Sequence, residues 1–332
     1  MKFGIKFVYL RCKFKKKDNN MANCHNLFQE FNGELDILSS KKDKMMTSRE
    51  NLRRKIKDYF KEEHPGYAPK FYIQGSYKLG TCIRTKDDHC DLDDGVYFKS
   101  NPDDVTGETL QDWVMDAVDG TTDASPSHKN KCIRVNYKAG YNIDLPVMVF
   151  DKDVDAHPHL AVRDGDFQDD DPKEFVDYYK ARKTPQKNRM VRYLKAWCDN
   201  VRDSMPSGLS MTVMTLNHYQ ANDRDDVALK FLLIAMENSL NAWFGCYMPT
   251  TPYDNLFKDY SEARKKNILD RLHKFVEDAR AAVDEPNQLK ASKLWRKHLG
   301  DRFPLGEDKN ESAEGKESAL RSVIGLSRPY WK

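Results

Sequence analysis

The chain has no CxxC pair, no apolar run long enough to span a bilayer and no marked excess of either charge. Its seven cysteines, Cys12, Cys24, Cys82, Cys90, Cys132, Cys198 and Cys246, are scattered and odd in number. That argues against a disulfide framework or a structural zinc module and suits a reducing, cytoplasmic setting. The 55 basic and 52 acidic side chains leave a formal charge of +3, so the balance demands no nucleic-acid partner. Internal repeats are absent as well. The opening MKFGIKFVYLRCKFKKKDNN puts a short apolar run before a basic cluster, the reverse of a secretory signal, and shows no convincing cleavage site. Residues 1–20 therefore read as an upstream extension, with Met21 opening the part that folds, and no membrane association is expected.

What is present fits a helix-rich globular protein: 39% of residues are hydrophobic and 32% charged, and 332 residues favour two lobes. SRENLRRKIKDYFKE at 48–62 sets Leu52, Ile56, Tyr59 and Phe60 on one helical stripe with Ser48 as N-cap. Strands are expected at 70–74, 92–98, 131–137 and 142–150, and a helix over GETLQDWVMDAVDG between the second and third. This β-α-β mixture predicts a small mixed sheet flanked by helices. Pro146 cannot donate to a ladder, so the last strand lies at an edge or is interrupted there. The Asp-rich stretch 151–172 reads as a loop. Beyond it come helices at 172–183 (capped by Asp171), 186–202, 208–221, 225–243, 259–284 and 287–299. The expected class is α+β: a core at 21–180, a helical lobe at 181–304 and a polar tail at 305–332.

The chemistry concentrates in FYIQGSYKLG and CDLDDGVYF. Asp91 and Asp93, two apart on a strand, share one face, while Leu92, Val96 and Phe98 belong to the core-facing set. Paired carboxylates make an oxygen-rich site of the kind Mg²⁺ prefers, and the Gly75-Ser76 turn offers N–H groups and a hydroxyl to a phosphate. Asp144, flanked by apolar residues, needs a partner, and completes a triad if its strand pairs beside that of Asp91 and Asp93. Taken singly, a Gly-Ser turn is common and a DxD is usually a solvated strand end. Together they point to metal-assisted phosphoryl or nucleotidyl transfer. Lys195 shares a helical face with Val191 and Cys198, so its stem can pack while its ammonium reaches a phosphate, or it is an ordinary exposed lysine. Ser207 precedes a helix, where it either favours an anion or serves as a plain N-cap.

Gln74-Gly75-Ser76, Asp91-Leu92-Asp93-Asp94-Gly95-Val96-Tyr97 and Ile143-Asp144-Leu145-Pro146 resemble the active-site motifs of the bacterial cGAS/DncV-like nucleotidyltransferases (CD-NTases), and the similarity extends through SMPSG at 204–208 and LWRKHLGDRFP at 294–304. The resemblance implies a polymerase-β-like nucleotidyltransferase core joined to a helical lobe. It also implies synthesis of a cyclic di- or trinucleotide from ATP and other nucleoside triphosphates, in antiphage signalling through a separate downstream effector. By position, it makes Asp91, Asp93 and Asp144 ligands of two Mg²⁺ ions, with Mn²⁺ as a substitute, Asp144 bearing most directly on the attacking hydroxyl. Gly75 with Ser76 becomes the triphosphate cradle, with Gln74, Lys195 and Ser207 as further nucleotide contacts. The zinc-binding cysteine cluster of the animal DNA-sensing relative is missing, so activation by that route is not expected. The alternatives are a template-independent enzyme making linear oligonucleotides or tagging a macromolecule, and a non-catalytic nucleotide-binding module.

Three further patterns compete with bland readings. Asp151-Lys152-Asp153-Val154-Asp155 opens like a calcium loop, but Ala156 stands where the turn glycine belongs and Val162 where the bidentate Glu belongs. His157 and His159, with Asp155 near, read as a transition-metal site or a solvated loop. The basic helices around Trp295 read as a nucleic-acid grip or, better, as solvated amphipathic faces.

Overall fold

The computed structural model describes residues 21–100 and 105–309; the expectations for 1–20 and for most of the tail at 305–332 lie outside these. Helices α1 (His25–Glu34) and α2 (Ser39–Glu63) come first, then β1 (Lys70–Gln74), the short α3 (Gly75–Leu79) and β2 (Cys90–Phe98). Next are α4 (Gly107–Val118), β3 (Ser127–His128), β4 (Ile133–Tyr137), β5 (Tyr141–Leu145), β6 (Val147–Val149), β7 (His159–Ala161) and β8 (Phe167–Asp169). The rest is helical: α5 (Pro172–Lys180), α6 (Pro185–Val201), α7 (Gly208–His218), α8 (Asp225–Ala242), α9 (Glu262–Asp284) and α10 (Gln288–Leu299). The expected α+β architecture, a mixed sheet with a helical lobe after it, is present.

β2 organises the sheet. β1 pairs antiparallel along one edge, and β5 and then β6 pair parallel along the other. The register does not slip between them: Asp93 faces Asp144 and Val96 faces Val147. Pro146 has no N–H, so one rung is lost between β5 and β6, but its carbonyl accepts a hydrogen bond from Val96 N at 2.8 Å. Thus the segment 141–149 is interrupted as expected, yet it is central, with β4 and β7 on its far side.

Leu92, Val96, Ile143, Leu145, Ile133 and Val135 are fully buried on the back of the sheet, where α2 and α4 cover them. Asp94 also points into this layer and is fully buried. It survives there because Arg53 of α2 grips it bidentately at 2.7 and 2.5 Å. A second core binds the helical lobe, with Trp197, Trp295, Tyr193 and Phe275 buried among α6, α9 and α10, and Phe28 and Phe31 of α1 packed into it. Trp295 makes edge contacts with Phe28 and Phe275 and is closed to solvent, so it offers no stacking platform to a nucleic acid.

Three local expectations are corrected. α2 begins at Ser39, so Ser48 is interior to it and bonds the Tyr141 hydroxyl at 2.9 Å. The stretch 151–172 is not only loop, because β7 and β8 pair within it. α9 begins at Glu262, capped by Ser261 accepting from Arg264 N.

Candidate active site

A single row of residues crosses four strands on the uncovered face of the sheet. Gln74 is opposite Asp93, Asp93 opposite Asp144, and Asp144 opposite Arg134. One step along, Asp91 faces Asn142. Directly opposed residues project to the same side, so the pairing brings the three predicted aspartates to one surface. That surface borders a cavity of about 520 Å³ between the sheet and the helical lobe, within the size range of small-molecule sites. Gln74, Gly75, Ser76, Asp91, Asp93, Asp144 and Lys195 line it.

Gly75 carries φ +60°, and a Cβ there would overlap the Asp93 carboxylate. Both facts require glycine, and they let the backbone of the β1–α3 turn lie against the acidic row. The negative charge on this row is crowded. Burial pushes the Asp93 carboxyl up to about 7, with Asp144 and Asp91 adding repulsion and Lys195 and Arg134 opposing it.

The side chains are not gathered around one point. Asp144, only 8% exposed, is held bidentately by Arg134, both bonds 2.7 Å, and Asp91 accepts from Asn142 Nδ2 at 3.0 Å. Among the described residues, the three carboxylates do not form a group whose ligand atoms all lie within 4.8 Å of one another. The backbone placement is right for a shared cation, and the donor set is hard oxygen of the kind Mg²⁺ takes. Arg134 stands as Asp144's counter-ion.

Lys195 is not an ordinary surface lysine. Its Nζ bonds the Thr81 carbonyl and hydroxyl, both at 3.2 Å, its stem lies against Gly208, and burial pushes its ammonium down to about 8, with Cys82 and Asp93 opposing. Ser207 caps α7, accepting from Ser210 N at 3.1 Å, while Gly208, Leu209 and Thr212 of that helix line the cavity. Sequence reasoning missed Arg134, Asn142 and Asp170. Arg134 had a signal, a charge alternating with buried Ile133 and Val135 on the strand next to Asp144. Asp170 lines the cavity with its carboxyl pushed up to about 6 by burial, and it sat in what read as loop.

Residues 69–148, which hold β1 through β5, match the family described as cyclic GMP-AMP synthase DncV-like, nucleotidyltransferase domain. A cyclic GMP-AMP synthase of Escherichia albertii is 30% identical over 197 residues, covering 53% of this chain and 42% of that protein, so the match spans less than half of its length. Among solved structures, the Vibrio cholerae DncV cyclic AMP-GMP synthase superimposes with a TM-score of 0.75 at 19% identity, covering 85% of this chain and 97% of the other. The same enzyme in complex with the linear intermediate 5′ pppA(3′,5′)pG gives 0.74 at 20% identity, with the same coverage. At such identities the structural likeness speaks for the fold, and the motif-bearing segment for the family. Residues 69–148 form a nucleotidyltransferase domain of the bacterial cGAS/DncV-like family.

Proposed function

We propose that this protein condenses nucleoside triphosphates, ATP among them, into a cyclic di- or trinucleotide that acts as a diffusible antiphage signal on a separate effector. The observation that carries this reading is the row Gln74–Asp93–Asp144 with Asp91 beside it, on the wall of a nucleotide-sized cleft and flush against Gly75. Names borne by the relatives supply the product class. The E. albertii protein is a cyclic GMP-AMP synthase, and the V. cholerae enzyme was captured with a linear intermediate.

Asp91, Asp93 and Asp144 would hold two Mg²⁺ ions, which when bound would supply charge neutralisation for the triphosphate and acidify an attacking ribose hydroxyl. The chain's own residues do the positioning. The turn at Gly75 and Ser76 lines the cleft and would offer its backbone N–H groups and the Ser76 hydroxyl to the phosphates, and Gln74 supports the turn by accepting from Tyr97 Oη at 3.1 Å. Lys195, between the turn and α7, adds positive charge at the cleft floor, and Ser207 fixes the start of α7, whose Gly208 borders the same space. In-line displacement at phosphorus needs mainly alignment and charge neutralisation, so no histidine base is called for.

The test is incubation with all four triphosphates and Mg²⁺, followed by chromatography and mass spectrometry. Pyrophosphate release with a product resistant to phosphatase and 3′-exonuclease is the expected result. Susceptible products would assign the linear-oligonucleotide activity instead. Full activity in the Asp91→Ala, Asp93→Ala double variant would remove the metal-ligand assignment.

A further inference from the structure

Away from the aspartate row, at the rim of the cleft, one group of side chains has the spacing of a second metal site. Among the described residues, His157, Asp171 and Glu174 are the one set of three in which a ligand atom from each lies within 4.8 Å of the others. They come from two segments, the loop before β7 and the N-terminal end of α5, and Thr251 of the helical lobe closes over them. The geometry points to a site for a borderline divalent cation of the Zn²⁺ type, bound by one imidazole nitrogen and two carboxylate oxygens. This inference is independent of the proposed activity.

The existing contacts leave ligand capacity unused. His157 Nδ1 is 3.4 Å from Asp171 Oδ2, and Nε2 is 3.3 Å from Thr251 Oγ1, both beyond the usual hydrogen-bond range. Asp171 Oδ1 accepts the capping bond from Glu174 N at 2.8 Å, which leaves Oδ2 for another partner. Glu174 Oε2 accepts from Thr251 N at 3.0 Å, which leaves Oε1. All three residues are partly buried, so an ion there would be shielded without being sealed off. Two carboxylates balance a divalent charge. Nitrogen ligation disfavours Mg²⁺ and Ca²⁺, whereas Zn²⁺ takes His and carboxylate at about 2.0–2.2 Å and commonly keeps a water as its fourth ligand.

His159 does not belong to the site, since it pairs with Asp155 and Asp169 instead. The two-histidine version suggested by the sequence is therefore replaced by one histidine and the two acidic residues at the start of α5. Because Asp171 lines both this group and the main cavity, a bound ion would brace the rim of the cleft.

The experiment uses the full chain carrying Asp91→Asn and Asp93→Asn, so that the aspartate row no longer competes for metal. After equilibration with Zn²⁺ and passage over a weak chelating resin, one equivalent of Zn²⁺ is expected to remain, with an absorption-edge spectrum fitted by one nitrogen and oxygen ligands. Adding His157→Ala, or separately Glu174→Gln, should remove that equivalent and any Zn²⁺-dependent rise in melting temperature, while the circular dichroism stays unchanged. No retained Zn²⁺ in the parent double variant, retention that survives both substitutions, or a spectrum fitted by sulfur would each overturn the assignment.

Discussion

Asp93→Asn should make the metal-free protein more stable while it removes the proposed metal ligand. In the fold, burial and the neighbouring Asp144 and Asp91 raise the Asp93 carboxyl from 3.8 to about 7. Between those pH values the folded state holds a proton that the unfolded chain has released, so this group makes stability fall as pH rises, and the loss is complete above about 7. At about 1.36 kcal/mol per pH unit the full effect is roughly 4 kcal/mol, and residual solvent contact reduces the expected gain of the neutral amide to roughly 2–4 kcal/mol. The advantage should be larger at pH 8.5 than at pH 5.5. Urea denaturation in the presence of EDTA at both pH values measures it, with the wild-type chain as reference. An Asp93→Asn variant no more stable than wild type at pH 8.5, or one whose gain shrinks as pH rises, would refute the claim that this carboxylate is electrostatically frustrated without its cation.

Other perturbations separate the roles of the surrounding residues. Gly75→Ala, which adds a methyl group at φ +60° against Asp93, should destabilise the fold by at least about 1–2 kcal/mol and depress pyrophosphate release more than a hundredfold. Restoration of activity by D-alanine at that position, introduced by semisynthesis, would separate the backbone cost from the contact. Arg134→Gln frees Asp144 and removes a positive charge, so Mn²⁺ titration followed by paramagnetic resonance should show roughly tenfold tighter binding, about 1.4 kcal/mol; weaker binding would mean that Arg134 orients the carboxylate. Arg53→Met leaves Asp94 charged and unpaired in the core and should cost about 3–5 kcal/mol in denaturant unfolding. Lys195→Met should weaken binding of a non-hydrolysable triphosphate, read by calorimetry, while the apo fold stays intact because the stem still fills the space beside Gly208.

The parts of the site legible in the sequence were those where strand periodicity and chemistry coincide. Asp91 and Asp93 alternate with buried Leu92 and Val96, and Asp144 sits in an apolar run that had to find a central place in the sheet. Pairing partners are tertiary facts and left weaker traces. Asn142 as the mate of Asp91 follows from the parallel register of β2 and β5, which no local pattern states. The start of α2 was hidden because SSKKDK at 39–44 shows no apolar stripe before Met45, even though the Lys41 stem is buried. β7 and β8 have three residues each, too few for alternation to register. Ser207 and Lys195 illustrate the opposite ambiguity. The same sequence environment allows a cap or a ligand, and to this the structure adds that Ser207 accepts from Ser210 N and that Lys195 Nζ bonds Thr81.

The constant register of β2 against 141–149 makes the loop between α4 and β3 a region where length is cheap and the strands a region where it is not. Residues could be gained or lost between 119 and 126 without altering which aspartate stands beside which. A single insertion on either side of the pairing would instead rotate a carboxylate through the sheet, into the oily layer under α2 and α4. Natural variation in proteins built on this plan should therefore accumulate in that loop and spare the spacing of each strand.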